Sequence, residues 1–287
     1  MQTALIVCRF AHFAALLMLF GFYLSRDVLL RPVLPVVMQQ PCVRLTRWLA
    51  TLALLSAVAW LAVTGASMAG SWSEGLQPST LLLVLGHTAF GTFWLWHVGF
   101  NIALVLLLLR SPAVAALLPL LLCGLLLATV APTGHVAMFD GAYGALLIAN
   151  QLIHLSAAGA WLGGLTLLAL SMRNQAESVQ RAVLQRFGGL GYAMVALIII
   201  TGLINVRAMS GALWPVPAFT GFGLILAIKL AMVLCMLALA LFNRLQLNRR
   251  RLRLGWLKAS IGLECLFGLA AVAAVSLLGT LPPVLPD

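Results

Sequence analysis

The sequence predicts an all-α integral membrane protein, in which residues 1–287 form one bundle of about eight transmembrane helices. Hydrophobic residues make up 63% of the chain and charged residues 8%, whereas soluble proteins average about a quarter charged residues. Eight apolar runs approach the roughly 20 residues that a helix needs to cross a bilayer. The net charge of +11 comes mostly from loops between these runs, which indicates membrane orientation and excludes a nucleic-acid-binding role.

Each apolar run is expected to form one helix, and together they leave no room for a soluble domain. The first run contains Arg9 and His12 and has no basic stretch before it, so we interpret it as a retained helix and not as a signal peptide. The third and fourth runs are separated by Arg110-Ser111-Pro112, because a proline suits a helix start. The predicted helices are residues 3–25, 46–69, 84–109, 113–131, 146–171, 187–208, 220–243 and 258–280.

The loops between these helices alternate in charge, and this alternation predicts the orientation. One set of loops holds 14 basic residues and the other set only Arg207. Basic loops stay in the cytoplasm, so both termini are expected in the periplasm of a bacterial inner membrane. The basic residues are Arg26, Arg31, Arg44, Arg47, Arg110, Arg173, Arg181, Arg186, Arg244, Arg249, Arg250, Arg251, Arg253 and Lys258.

Small residues on the fifth predicted helix indicate close helix packing. Gly159 and Gly163 are four positions apart, as are Ala160 and Gly164. Such faces let two helices approach closely in lipid.

Ionisable side chains inside these helices are candidates for function, because their burial in lipid is costly. They are Arg9, His12, His87, His97, His154, Lys229 and Glu264, with His135 just beyond the fourth helix. A rise of 1.5 Å per residue places the histidines other than His97 in the outer half of the bilayer. The candidate metal ligands on that side are His12, Met68, His87, His135, Met138 and His154.

Imidazole and thioether groups together suit copper, and thioethers favour Cu(I). An ion arriving from outside would meet Met68 and His135 first and would then pass to His12 and His154. Neutral ligands do not cancel the charge of the ion, so a deep site needs water, a counter-ion or a carboxylate. Asp140 is the nearest outer acid in the sequence.

A polar stripe runs along the fifth predicted helix. Asn150 or Gln151, His154 and Trp161 recur at helical spacing, so they share a face that should point into the bundle. Structural roles compete with functional ones elsewhere: His97 can serve packing, Met68 and Met138 can be apolar filler, and Arg9 can snorkel to the interface. Lys229 and Glu264 can pair with each other or with backbone groups.

Several stretches resemble the CopD/PcoD family of copper-resistance membrane proteins. The most specific stretch is His154 to Leu165, with weaker ones at Arg9 to Phe13, Met68 with Ser71-Trp72, Phe90 to Trp96, Gly134-His135, Gly202 to Asn205, and Asn243-Arg244. The resemblance covers nearly the whole chain. It implies an inner-membrane protein of copper homeostasis that moves copper between periplasm and cytoplasm. It also implies a separate periplasmic partner, a CopC-like copper-binding protein.

Three functions remain open at this stage. The first is a copper permease that uses the outer histidines and methionines. The second is a b-type membrane cytochrome, in which histidines from different helices hold haem and Arg9 pairs with a propionate. The third is a non-transporting assembly partner for copper proteins. No phosphate-binding GxxxxGK motif occurs in the sequence, so ATP-driven pumping has no support.

Overall fold

The computed structural model describes residues 1–30, 39–110, 117–172, 176–247 and 253–281 of the chain. These residues are almost entirely helical. A π-helical turn at Ser25–Leu29 extends α1, and 3₁₀ turns at Ala131–Thr133 and His135–Met138 follow α6. The helices are α1 (Gln2–Leu24), α2 (Gln39–Ala69), α3 (Trp72–Gly75), α4 (Pro78–His87), α5 (Ala89–Arg110), α6 (Leu117–Val130), α7 (Gly141–Ser171), α8 (Glu177–Ser210), α9 (Gly221–Leu247) and α10 (Leu254–Leu278).

The predicted fold class, a polytopic helical membrane protein, is confirmed. Seven of the described helices are long and apolar enough to cross a bilayer: α1 with its π-helical extension, α2, α5, α7, α8, α9 and α10. The apolar segment Leu117–Thr133 occupies the place of the fourth predicted span but is shorter than the other seven. The proposed start of that span at residue 113 lies outside the described residues.

The prediction of one continuous third helix from residue 84 to residue 109 is wrong, because the chain breaks at Thr88. Thr88 has extended backbone angles between α4 and α5. Its hydroxyl donates to the Val84 carbonyl at 2.7 Å and accepts from the Gly91 amide at 2.9 Å. One side chain therefore satisfies the end of one helix and the start of the next. Hydropathy misses this break, since the apolar residues continue through it.

Arginines at the predicted cytoplasmic end hold helix termini together. Arg47 donates to the Leu108 carbonyl at 2.9 Å, Arg181 donates to the Leu247 carbonyl at 2.8 Å, and Arg186 donates to the Leu29 carbonyl. These carbonyls end helical segments, where backbone acceptors lack partners and the helix dipole attracts cations. The orientation itself stays a prediction. Of the basic residues behind it, Arg31, Arg173, Arg249, Arg250 and Arg251 lie outside the described part of the chain.

Helix α1 is central and packs against α2, α6, α7 and α10. Its closest approach is to α7, where Gly21 meets Gly159 and Gly163. A Cβ atom at Gly163 would lie 2.6 Å from the Gly21 Cα, and one at Gly21 would lie 3.0 Å from the Ala160 Cα. The small-residue face of α7 therefore packs against α1, with the two backbones in direct contact.

We predict that Gly163→Ala destabilises the protein by about 1–3 kcal/mol, because the added methyl group meets backbone that cannot move aside. Gly189→Ala is the matched control. A Cβ atom at Gly189, in α8, meets nothing within 4 Å, so this change should leave stability unchanged or raise it by up to about 1 kcal/mol. Thermal unfolding of the purified protein measures both. Equal stability of the two variants would contradict the close α1–α7 contact.

Candidate functional site

A cavity of about 240 Å³ opens between α1, α7, α8, α9 and α10, beside the turn that carries His135. We call it the outer cavity, because it lies at the end of the bundle opposite the basic loops. Most of its wall is apolar. Its ionisable and amide-bearing lining residues are Arg9, His135, Gln151, His154, Asn205 and Lys229.

His154 lines this cavity and is anchored through one ring nitrogen, Nδ1. Its Nδ1 lies 2.8 Å from the Thr201 hydroxyl oxygen, and that hydroxyl donates to the Leu197 carbonyl. Because the hydroxyl proton is already engaged, Nδ1–H of His154 is the donor to Thr201. The Nε2 lone pair is therefore left for a ligand. This arrangement is typical of metal-binding histidines, whose second nitrogen is oriented by the protein.

His135 also lines the cavity. Its Nε2 is buried and has no hydrogen-bond partner within the described residues, while the imidazole is hydrogen-bonded to the Leu278 backbone. Burial lowers the pKa of His135, the Leu278 hydrogen bond raises it, and the Arg9 charge lowers it, with a net decrease. The ring is therefore neutral at pH 7, the form in which imidazole binds metals.

Polar side chains join α7 to α8 about one turn before His154 along α7. Asn150 donates to the Thr201 carbonyl at 3.0 Å and to the Asn205 side-chain oxygen at 2.9 Å. Asn205 in turn donates to Gln151 at 2.8 Å. This is the interior-facing stripe that helical spacing predicts, and its hydrogen bonds join α7 to α8 beside His154.

The outer cavity also holds two cations. Arg9 is only 8% exposed, and its guanidinium carbon lies 4.9 Å from the Trp60 ring centroid. Its Nε is buried without a hydrogen-bond partner among the described residues, so Arg9 does not snorkel to the interface. Lys229 lies near enough to His154 to influence it electrostatically. It forms no ion pair with Glu264 in the described structure, because the two residues line different cavities.

His12 lies outside the outer cavity, in a separate buried cluster with His97. Their Nε2 atoms are 2.8 Å apart, and His12 Nδ1 lies 3.0 Å from the Ala53 carbonyl. The Thr129 hydroxyl lies 2.7 Å from His97 Nδ1. The contacts of the two rings fit one set of protons, in which Thr129 donates to His97, His97 donates to His12, and His12 donates to Ala53. In that set the Thr129 hydroxyl does not donate to the Leu125 carbonyl, which lies 3.0 Å away. A metal on His12 would have to displace one of these hydrogen bonds.

Trp94 and Trp60 enclose this histidine pair. The Trp94 ring stacks on His97 with centroids 4.7 Å apart, and Trp60 contacts the edge of His12 at 5.8 Å. Both imidazoles are fully buried. The sequence leaves the role of His97 open between packing and function, and it does not identify His12 as the partner of His97.

The other predicted ligands lie at the surface of the bundle. Met68, His87 and Met138 are exposed, and the outer cavity is lined by none of them. Asp140 is exposed as well, at the N-terminus of α7. Two thioethers that the sequence analysis missed, Met209 and Met236, do line the cavity. Helical spacing could have found them, since Met209 follows Asn205 by four residues and Met236 follows Lys229 by seven.

A second cavity of about 220 Å³, the inner cavity, lies nearer the basic end of the same helices. Glu264 is 2% exposed there and accepts a hydrogen bond from Asn243. Arg244 lies over the Tyr192 ring, 4.6 Å from its centroid. Three residues, Trp161, Val195 and Leu237, line both cavities. They form the partition between the two.

Within the described residues, no group of three or more His, Cys, Asp or Glu side chains is placed to hold a metal ion. A metal site built by this chain in the outer cavity therefore has two imidazoles and would need thioethers or an external ligand to complete it. Soft, low-coordinate Cu(I) suits such a set better than Zn²⁺, which takes four ligands.

Two family models match the chain. The model described as the N-terminal domain of copper resistance protein D-like proteins matches residues 1–145, and the model described as copper resistance protein D matches residues 181–278. Residues 146–180, which include most of α7 with His154, lie between the two matched ranges, and the outer cavity draws residues from both matched ranges and from this stretch. No solved structure gives a significant match.

Three curated proteins are similar to the chain. Inner membrane protein YebZ of Escherichia coli (strain K12) is 29% identical, with 97% of this chain and 98% of that protein aligned. Copper resistance protein D of Pseudomonas syringae pv. tomato is 30% identical, over 97% and 96%. Copper transport protein CutJ of Bacillus subtilis (strain 168) is 26% identical, over 76% of this chain and 42% of that protein.

We predict that His12 and His97 stabilise the fold as a pair. Either single change to Ala leaves a buried imidazole without its partner, which should cost about 1–3 kcal/mol. The double variant should cost less than the sum by about 1 kcal/mol. Chemical denaturation of the four proteins measures this coupling. Strict additivity would show that the hydrogen bond between the rings contributes nothing.

Proposed function

The chain belongs to the copper resistance protein D family, and from that premise we propose that it binds copper in the outer cavity and moves it across the inner membrane. Membership makes it a multi-pass inner-membrane protein of copper homeostasis. The observation that carries the finer proposal is the pair His135 and His154. His135 Nε2 is buried without a partner among the described residues, and His154, held through Nδ1 by Thr201, lines the same cavity.

Two imidazoles and neighbouring thioethers supply ligands suited to Cu(I). His135 and His154 bind the ion in this proposal, with Met209 and Met236 as the thioether candidates on the cavity wall. The Thr201 and Leu278 contacts hold the imidazoles in the tautomer that binds metal. His12 supports the site only indirectly, through the packing of α1.

The two cavities suggest the route. The outer cavity holds the histidines and the inner cavity holds Glu264 with Asn243, and Trp161 lies between them. A small movement of the partition residues Trp161, Val195 and Leu237 would open the path first to one side of the membrane and then to the other. The buried Trp161 Nε1 has no hydrogen-bond partner among the described residues, so little polar bonding resists its movement.

Copper reaches the cavity, in this proposal, from a periplasmic copper-binding partner of the CopC type. Met68 and Met138 are 59% and 52% exposed. Met68 lies at the end of α2, and Met138 ends the 3₁₀ turn that follows α6. The predicted orientation places both of these ends outside. Exposed thioethers there suit transfer of Cu(I) between proteins.

A b-type cytochrome remains the second candidate, favoured by one observation. Arg9 and Lys229 stand beside the two free imidazoles, and these cations could pair with haem propionates. The volume argues against it, because about 240 Å³ is below the roughly 300–1,000 Å³ of pockets that hold drug-sized ligands. A Soret band in the purified protein would establish the cytochrome and remove the copper site.

We predict that the full-length protein binds Cu(I), and that changing His135 and His154 together to Ala lowers the affinity by about 100-fold or more, since second-shell losses alone cost about 10–100-fold. His87→Ala is the control, because His87 is exposed and does not line the cavity. Competition with a chromogenic Cu(I) chelator measures the affinity. Wild-type affinity in the double variant would contradict the proposed site. Binding without vesicle uptake would favour an assembly role.

We predict that Trp161→Ala joins the two cavities and raises passive copper flux into proteoliposomes several-fold. Trp256→Ala removes an indole that is 65% exposed and lines neither cavity, so its flux should match the wild type. A copper-sensitive dye inside the vesicles reports the flux. Equal rates for the two variants would show that Trp161 does not separate the compartments.

A further inference from the structure

The outer cavity carries more positive charge than a site for a bare metal ion should. Arg9 and Lys229 both line it, and none of its described lining residues is acidic. Each cation also acts electrostatically on one of the two imidazoles, Arg9 on His135 and Lys229 on His154. A copper ion between those imidazoles would therefore be repelled from two sides.

Among the described residues, the charge on Arg9 has no ion-pair partner. The two ion pairs among the described residues, Arg26 with Asp27 and Arg181 with Glu177, lie elsewhere. Arg9 instead contacts the faces of Trp60 and Phe13 and lies against Gly279, where a Cβ atom would collide with the guanidinium. Buried charges need a compensating charge or strong hydrogen bonds. This cation is held in place by its packing, while its Nε has no acceptor among the described residues.

We propose that the outer cavity is a binding site for a small anion, which Arg9 and Lys229 hold and which accompanies copper as its counter-ion or ligand. The copper part rests on the proposed function, whereas the anion site does not. The size fits: about 240 Å³ corresponds to roughly eight waters at 30 Å³ each. A halide or a small carboxylate can share that space with a copper ion.

The anion site is tested first without copper. Anions that bind the native state raise its melting temperature. Chloride and acetate are titrated against the full-length protein at constant ionic strength, with a bulky sulfonate as the replacement salt. We expect a saturable rise in melting temperature for at least one of the two, and the stronger of them identifies the anion class. The rise should vanish in Lys229→Gln and Arg9→Gln, and persist in Lys258→Gln, which removes an exposed charge on α10.

Several outcomes overturn the anion site. One is a melting temperature that neither anion changes, and another is a rise that is unchanged in Lys229→Gln. The third is co-purified anionic lipid, held so tightly that added anions are ineffective. If Arg9→Gln does not fold, Lys229→Gln still tests the anion site, because Lys229 donates no hydrogen bond to any described residue.

The second arm measures Cu(I) affinity with and without the effective anion. Free anion competes for Cu(I) in solution, so an ordinary site binds copper more weakly when the anion is added. The proposed site instead binds copper about tenfold more tightly when the anion is present. This factor corresponds to a favourable interaction of about 1.4 kcal/mol between copper and the anion. Lys229→Gln should bind copper more tightly without the anion and lose the enhancement. Copper binding that the anion only weakens overturns this inference alone, and no copper binding in any condition overturns the proposed function.

Discussion

The backbone contact between α1 and α7 is the constraint on which the rest of the structure depends. Gly21, Gly159 and Gly163 let the two helices touch without intervening side chains. This contact sets the register between Arg9 on α1 and His154 on α7, which both face the outer cavity. It also leaves His12, on the next turn of α1, facing α2 and α5. A larger residue at the crossing would separate the helices and alter the cavity.

Buried polar groups in this bundle divide into satisfied and unsatisfied ones. The His12–His97 pair and the Asn150–Asn205–Gln151 ladder have their hydrogen bonds completed within the protein. By contrast, His135 Nε2, Arg9 Nε and Trp161 Nε1 are buried without partners in the described structure. Completed networks stabilise a fold, whereas an orphaned polar atom at a cavity is costly unless a ligand or a movement uses it. By this contrast the His12–His97 pair is satisfied within the protein, whereas His135 keeps an unpartnered nitrogen at the cavity.

Hydropathy was sufficient to predict the membrane class, because lipid requires long apolar helices. Helical spacing also placed Asn150, His154 and Trp161 on an interior face. It was not sufficient to identify neighbours. His12 pairs with His97 because α2 packs against both α1 and α5 and brings the two side chains together. Depth along the membrane gives no information on which helices touch. The break at Thr88 is set by one hydroxyl within an apolar run. Met209 and Met236 look like ordinary apolar residues until tertiary packing brings them to the cavity.

The central claim is that two imidazoles, His135 and His154, bind copper in the outer cavity. X-ray absorption of the copper-loaded full-length protein tests it most directly, because imidazole rings give a characteristic multiple-scattering pattern around the metal. We expect two imidazole nitrogens in the copper shell, one of them lost in His135→Ala and one in His154→Ala. A shell without imidazole, or a two-imidazole shell that survives both changes, would contradict it.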